Sequence, residues 1–147
     1  MKRLYPDQPI VGIGVVIVKD GQIVLIKRRN EPGRGKWSIP GGIVDLGERI
    51  QQTVIREAKE ETCLDVADPH LIDIVDNVEF DPDGKVKYHY VIVDFLVKVV
   101  GGDIAAASDA EEIRWVKFND VESYVLTSSF REFFQKNREK LEKTSSY

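Results

Sequence analysis

Three glutamates, Glu57, Glu60 and Glu61, fall at spacings of three and four residues in the run Arg56-Glu57-Ala58-Lys59-Glu60-Glu61. On a helix those spacings bring the carboxylates together, and like charges placed that way repel unless something cationic holds them. The run lies downstream of Trp37-Ser38-Ile39-Pro40-Gly41-Gly42 and Gly47-Glu48, a turn-rich approach whose glycines let the backbone come close to a ligand or metal. Loop, helix and carboxylates together form a candidate divalent-metal site.

Helical geometry tests the cluster from the residues alone. At about 100° per residue with Ile50 at zero, Val54 falls at about 40°, Ala58 at about 80°, Glu61 at about 20° and Glu57 at about 340°. Glu61 therefore projects from the margin of the apolar stripe, whereas an ordinary solvated acidic face would lie where Gln52, Arg56 and Lys59 are placed. Carboxylates beside a buried face are costly unless they are paired or bind metal. The alternative is that Arg56 and Lys59 neutralise them through surface pairs, worth about 0–1 kcal/mol each.

From Gly42, five residues lead to Glu48 and seven more to Arg56-Glu57, after which Ala58-Lys59-Glu60-Glu61-Thr62-Cys63-Leu64 follow. This pattern resembles the Nudix box, the signature of the Nudix hydrolases, which cleave nucleoside diphosphates linked to another group. The resemblance implies an α/β chain with the Nudix fold, an α/β/α sandwich around a mixed β-sheet. It assigns Mg²⁺ or Mn²⁺ binding to Glu57, Glu60 and Glu61, with a backbone carbonyl from Gly42. One of the three glutamates, or a Glu outside the box, would act as base toward water, and Arg56 would pair with Glu48 to hold helix and loop. One position departs: Cys63 stands where the family usually has Gly. A non-Gly residue held left-handed near a helix end costs about 1–2 kcal/mol.

The implied chemistry follows from what a pyrophosphate bond demands. The substrate's negative charge repels a nucleophile, and neutral water attacks poorly. A bound divalent cation neutralises the phosphate oxygens, orients the bridge and lowers the pKa of a coordinated water. Carboxylate oxygens are the ligands such hard cations prefer.

With 147 residues and no linker, the chain reads as one domain over 1–147, large enough for a real core. A net charge of −4, with no tract gathering the 21 Lys and Arg residues, gives no reason to expect a nucleic-acid polymer as partner. Cys63 is the single cysteine, which excludes an intrachain disulfide and suits a reducing cytoplasm. The apolar stretch Ile10 to Val18 is too short to span a bilayer, so neither membrane anchor nor signal peptide is expected.

Residues Val11 to Lys19 and Gln22 to Lys27 read as strands joined by a tight Asp20-Gly21 hairpin. Asn30 to Lys36 reads as a loop, and the helix as running from about Glu48 to Thr62. After the turn Asp81-Pro82-Asp83-Gly84, a long strand is expected over Val86 to Val100, ending at Gly101-Gly102. Glu112 to Phe118 reads as a last strand. In the C-terminal helix, Ser129 and Glu132 form a capping box ahead of an apolar side carried by Phe133, Phe134 and Leu141.

Outside the box, Glu112 is a candidate for the metal or the water, since related enzymes often bring a Glu from this region; the alternative is that Glu111 and Glu112 decorate a surface loop. Arg28 and Arg29 can reach phosphate with planar, bidentate groups, or remain a solvated basic pair. Trp37 and Phe80 can stack on a base, although aromatics at turns and strand ends usually serve packing. His89 reads as a packed or surface histidine, and Gly12-x-Gly14 lacks the third glycine of a dinucleotide fingerprint.

For substrate, relatives acting on ADP-ribose often carry a Pro beyond the box, and those acting on dinucleoside polyphosphates a Tyr nearby. Here Pro82 comes slightly late and Phe80 stands where a Tyr would. The segments Tyr90 to Asp94 and Ser108 to Trp115 resemble the ADP-ribose or small-nucleotide branches. ADP-ribose or a related nucleoside diphosphate derivative is therefore the expected substrate, and pyrophosphate removal from nucleoside triphosphates, damaged ones included, the runner-up. A binding or regulatory module that has lost hydrolysis is the third reading, with Cys63 its local argument and the retained carboxylates against it. Many relatives form homodimers, and no residue here specifies an interface.

Overall fold

Asp20 and Gly21, at φ 52° and 74°, supply the two positive-φ residues of a two-residue hairpin. In a computed structural model, which describes residues 2–106 and 110–144, that hairpin joins β2 (Val18–Lys19) to β3 (Gln22–Arg28), with Val18 opposite Ile23 and Lys19 opposite Gln22. The expected first strand is interrupted at Ile17, so β1 is Ile10–Val16. The approach to the helix, read as turn, contains two short strands, β4 (Trp37–Ser38) and β5 (Gly41–Ile43). The helix α1 spans Ile50–Thr62, then β6 (Asp65–Phe80), β7 (Val86–Gly101) and β8 (Ala110–Lys117) follow. A 3₁₀ turn over Phe118–Ser123 leads to α2 (Ser128–Lys143). Ser108 and Asp109 of the segment singled out above lie outside the described residues.

One sheet has the order β5-β1-β7-β6, with β1 parallel to β7 and the other pairs antiparallel, which makes it mixed. The second has β2, β3 and β4 in antiparallel order, with β8 also pairing β3. Side chains alternate across β1. Ile13 and Val15 pack with Val54 and Ala58 of α1, while Val16 joins Phe130, Phe133, Phe134 and Leu141 of α2. The chain is thus an α/β/α sandwich, with Gly12 and Gly14 on the α2 side of β1, where Asp94 and Ile39 close over Gly14. Among the described residues no helix is long and apolar enough to cross a membrane.

Three further elements differ from expectation. Helix α1 begins at Ile50 because Glu48 belongs to the preceding turn, where its N–H donates to the Asp45 carbonyl at 2.9 Å. Helix α2 is capped by Thr127 rather than Ser129: the Phe130 N–H donates to Thr127 Oγ1 at 3.3 Å, and Thr127 is extended, its own N–H tied to the Trp37 carbonyl. The third is β6, read as no element at all. It runs along the edge of its sheet, where Pro69 is tolerated, and its pairing with β7 shifts register around Asp68, which has φ 51°. Cys63 ends α1 in the left-handed conformation, φ 66° and ψ 9°, the geometry that favours Gly there.

Candidate active site

The Gly41-Gly42 edge of β5 meets the carboxylates of α1. The Gly41 N–H donates to Glu61 Oε2 at 2.8 Å, and Glu61 is only 4% exposed, as its place at the margin of the apolar stripe requires. Close approach requires glycine at Gly41, where a Cβ would strike the Ile13 carbonyl; a Cβ at Gly42 would displace the Glu57 carboxylate. Glu57 and Glu61, one turn apart, line a cleft of about 410 Å³ together with Gly41 and Gly42.

Glu60 does not line this cleft. Rotated about 60° from Glu57 around the helix axis, it lies half exposed and pairs with Arg56 Nη1 at 3.1 Å. Among the described residues no three Asp, Glu, His or Cys side chains come close enough together to hold a metal ion. Two of the three glutamates share the cleft, and the third stands on the flank.

Arg56 organises that flank. Its Nε and Nη2 donate to the two carboxylate oxygens of Glu48 at 2.8 and 2.9 Å, a bidentate pair that ties the turn to the helix. Nη1 donates to Glu57 at 2.7 Å, and Nη2 also reaches the Ile43 carbonyl and Asp45. The Arg56 hydrogen bonds, followed by that of the Thr53 hydroxyl, hold the Glu48 carboxyl down at about 2. The same pairing raises Arg56 above its ordinary value.

Arg28 and Arg29 lie on the cleft, each with an N–H on a backbone carbonyl: Arg28 Nε to Pro32 at 2.6 Å and Arg29 Nη2 to Ala110 at 3.3 Å. A guanidinium has five N–H donors, so both retain capacity for phosphate. The other candidates are not brought there. Glu112 projects from β8, half exposed, with Arg114 at 3.5 Å, and is absent from the cleft wall. Trp37 is 7% exposed, packed edge-on against Tyr124 with the Arg114 guanidinium over its ring. Phe80 is 61% exposed at the far end of β6, opposite Val86. Both aromatics lie off the cleft.

Sequence reasoning passed over Lys36 and Asp94, which also line the cleft. Asp94 is 2% exposed on β7, and burial, then the neighbouring Asp73 carboxylate, pushes its carboxyl up to about 7. The signal was present: Asp94 is the lone polar residue in Val91-Ile-Val-Asp-Phe-Leu-Val97.

The same architecture recurs among solved proteins. A MutT NUDIX hydrolase from Burkholderia pseudomallei is similar with a TM-score of 0.78 and 32% identity, covering 88% of this chain and 98% of that one. The NUDIX domain of Shewanella oneidensis NrtR, complexed with ADP ribose, shares the fold with a TM-score of 0.75 at 22% identity, covering 92% of this chain and 90% of that one. An ADP-ribose pyrophosphatase of Methanocaldococcus jannaschii is 37% identical over 119 residues, which are 81% of this chain and 68% of that protein. The NUDIX domain family matches residues 8–136. The chain belongs to this family and is a Nudix hydrolase, an enzyme class that acts on pyrophosphate bonds.

Proposed function

We propose that the substrate is ADP-ribose or a closely related nucleoside diphosphate derivative, hydrolysed with Mg²⁺ or Mn²⁺ held by Glu57, Glu60 and Glu61. The observation that carries the reading is the placement of Glu57 and Glu61 on one cleft wall beside Gly41 and Gly42. The donor set fits a hard divalent cation, because oxygen donors line that wall and a Cβ at Gly42 would fill the space against Glu57. Similarity to the Methanocaldococcus pyrophosphatase supports the choice of substrate.

When bound, the cation supplies charge neutralisation at the phosphate oxygens and an acidified water. The chain's own groups do the rest. Gly41 fixes the direction of Glu61, Arg56 holds the Glu48 turn against α1, and Arg28, Arg29 and Lys36 meet phosphate charge across the cleft. Glu60 would complete the set on giving up its pair with Arg56. Water adds across one P–O–P link, and ADP-ribose leaves as AMP and ribose 5-phosphate. Its single cysteine supports a cytoplasmic setting for this work.

The test is mass-spectrometric identification of products after incubation with Mg²⁺ and a panel of ADP-ribose, other nucleotide sugars, dinucleoside polyphosphates and nucleoside triphosphates. AMP and ribose 5-phosphate from ADP-ribose, lost on chelation, are expected. Pyrophosphate from a triphosphate, with ADP-ribose untouched, would overturn the substrate assignment.

A further inference from the structure

Across the first sheet, Gly41, Gly14, Asp94 and Asp73 occupy one register row, on β5, β1, β7 and β6 in turn. At its β5 end the row carries the N–H that holds Glu61. Two strand spacings away, about 10 Å, stands Asp94. Its Oδ1 occupies the space where a Cβ on Gly14 would go, so the carboxyl leans over β1 on the α2 face of the sheet. Ile39 closes on the same space, and Val75, Phe130 and Phe133 add apolar lining.

Buried polar groups are almost always hydrogen-bonded. No described residue donates a hydrogen bond to the Asp94 carboxyl, whose oxygens are not sealed from the cleft. Its charged neighbour Asp73 is already engaged by Asn137 Nδ2 at 2.9 Å and Lys136 Nζ at 3.1 Å, both from α2. A 2%-exposed carboxyl at the floor of the substrate cleft therefore has bonding capacity directed at whatever enters.

We infer that Asp94 reads the hydrogen-bonding edge of the substrate's nucleobase, an amino-bearing ring such as adenine seated against the Asp94 carboxyl. The inference rests on the reading of the cleft as a nucleotide site. A phosphate would be repelled by a carboxylate and has Arg28, Arg29 and Lys36 to meet it. A flat heterocycle suits walls of Ile39, Val75 and Phe133, and an amino group beside a ring nitrogen matches a carboxyl that accepts through one oxygen and donates through the other. The raised pKa agrees, since it keeps the donor form populated near neutral pH.

The experiment is calorimetric titration of AMP and of ribose 5-phosphate into the wild type, Asp94→Asn and Asp94→Val, with melting curves as a check on folding. Asn keeps one acceptor and one donor at this position, whereas Val keeps neither. AMP affinity is expected to fall about tenfold or more in Asp94→Val, the worth of roughly 1.4 kcal/mol, and to stay within about threefold in Asp94→Asn. Ribose 5-phosphate affinity should be unchanged in both. Unchanged AMP binding by a folded Asp94→Val, or an equal loss for both ligands, would overturn the inference. Wild-type ADP-ribose turnover is scored separately: its absence, with AMP binding still dependent on Asp94, removes the proposed substrate and leaves the base contact standing.

Discussion

Replacing Asp94 by Asn should stabilise the protein at neutral and alkaline pH and lose that advantage in acid. Burial and Asp73 raise the Asp94 carboxyl from 3.8 to about 7. A carboxyl raised in the folded state opposes folding by an amount that grows with pH wherever the unfolded chain has ionised and the folded chain has not. That penalty is absent below about pH 4, grows through pH 4–7, and stays constant above about pH 7. A shift of about three units at 1.36 kcal/mol each gives a ceiling of about 4 kcal/mol. Asn is neutral throughout, so any cost of fitting its amide is a constant offset, and the pH-dependent part of the difference isolates ionisation. Urea unfolding of both proteins at pH 4, 6 and 8 measures it; the gain between pH 4 and 8 should approach about 4 kcal/mol, or roughly 8–16 °C in Tm. A wild-type-minus-variant difference that is flat with pH would refute the reasoning and mean that Asp94 is solvated or paired in solution.

Glu61→Gln should lower turnover by on the order of 10²-fold or more, and full activity measured on a confirmed substrate would remove Glu61 from the site. The Glu48 carboxyl, depressed to about 2, contributes stability that is fully present above about pH 4.5 and is lost as pH falls toward 2; Glu48→Gln should flatten the acid limb of an unfolding curve in that window. Cys63→Gly should raise stability by up to about 1 kcal/mol in urea melts, because φ 66° strains a side chain that Gly lacks.

Helix α1 could be read because its apolar stripe and its carboxylates obey one periodicity, and the burial of Glu61 follows from the same geometry. The Glu48–Arg56 pair followed from the family spacing and holds as a bidentate contact. What spacing alone could not settle is which glutamates reach the cleft: Glu60, turned about 60° from Glu57, pairs with Arg56 on the flank, and two of the three line the cleft. Strand β6 was illegible because Asp68-Pro69 interrupts its pattern and an edge strand exposes Leu71, Ile74 and Phe80, apolar residues with no regular inside. Its pairing with β7 is a tertiary fact. Trp37 and Phe80 show the same limit, since an aromatic near a box can as well pack on Tyr124 or face solvent. Asp94 stood out in its apolar run, but only the sheet register sets it over Gly14.

Whether the Glu57–Glu61 wall holds a divalent ion is tested most directly by titrating Mn²⁺ into the protein and following free Mn²⁺ by electron paramagnetic resonance, for the wild type and for the Glu57→Gln/Glu61→Gln double variant. Saturable binding by the wild type and its loss in a folded double variant is the expected result. Equal binding by the two proteins would place the cation elsewhere and contradict a carboxylate-held metal at the Gly41-Gly42 edge.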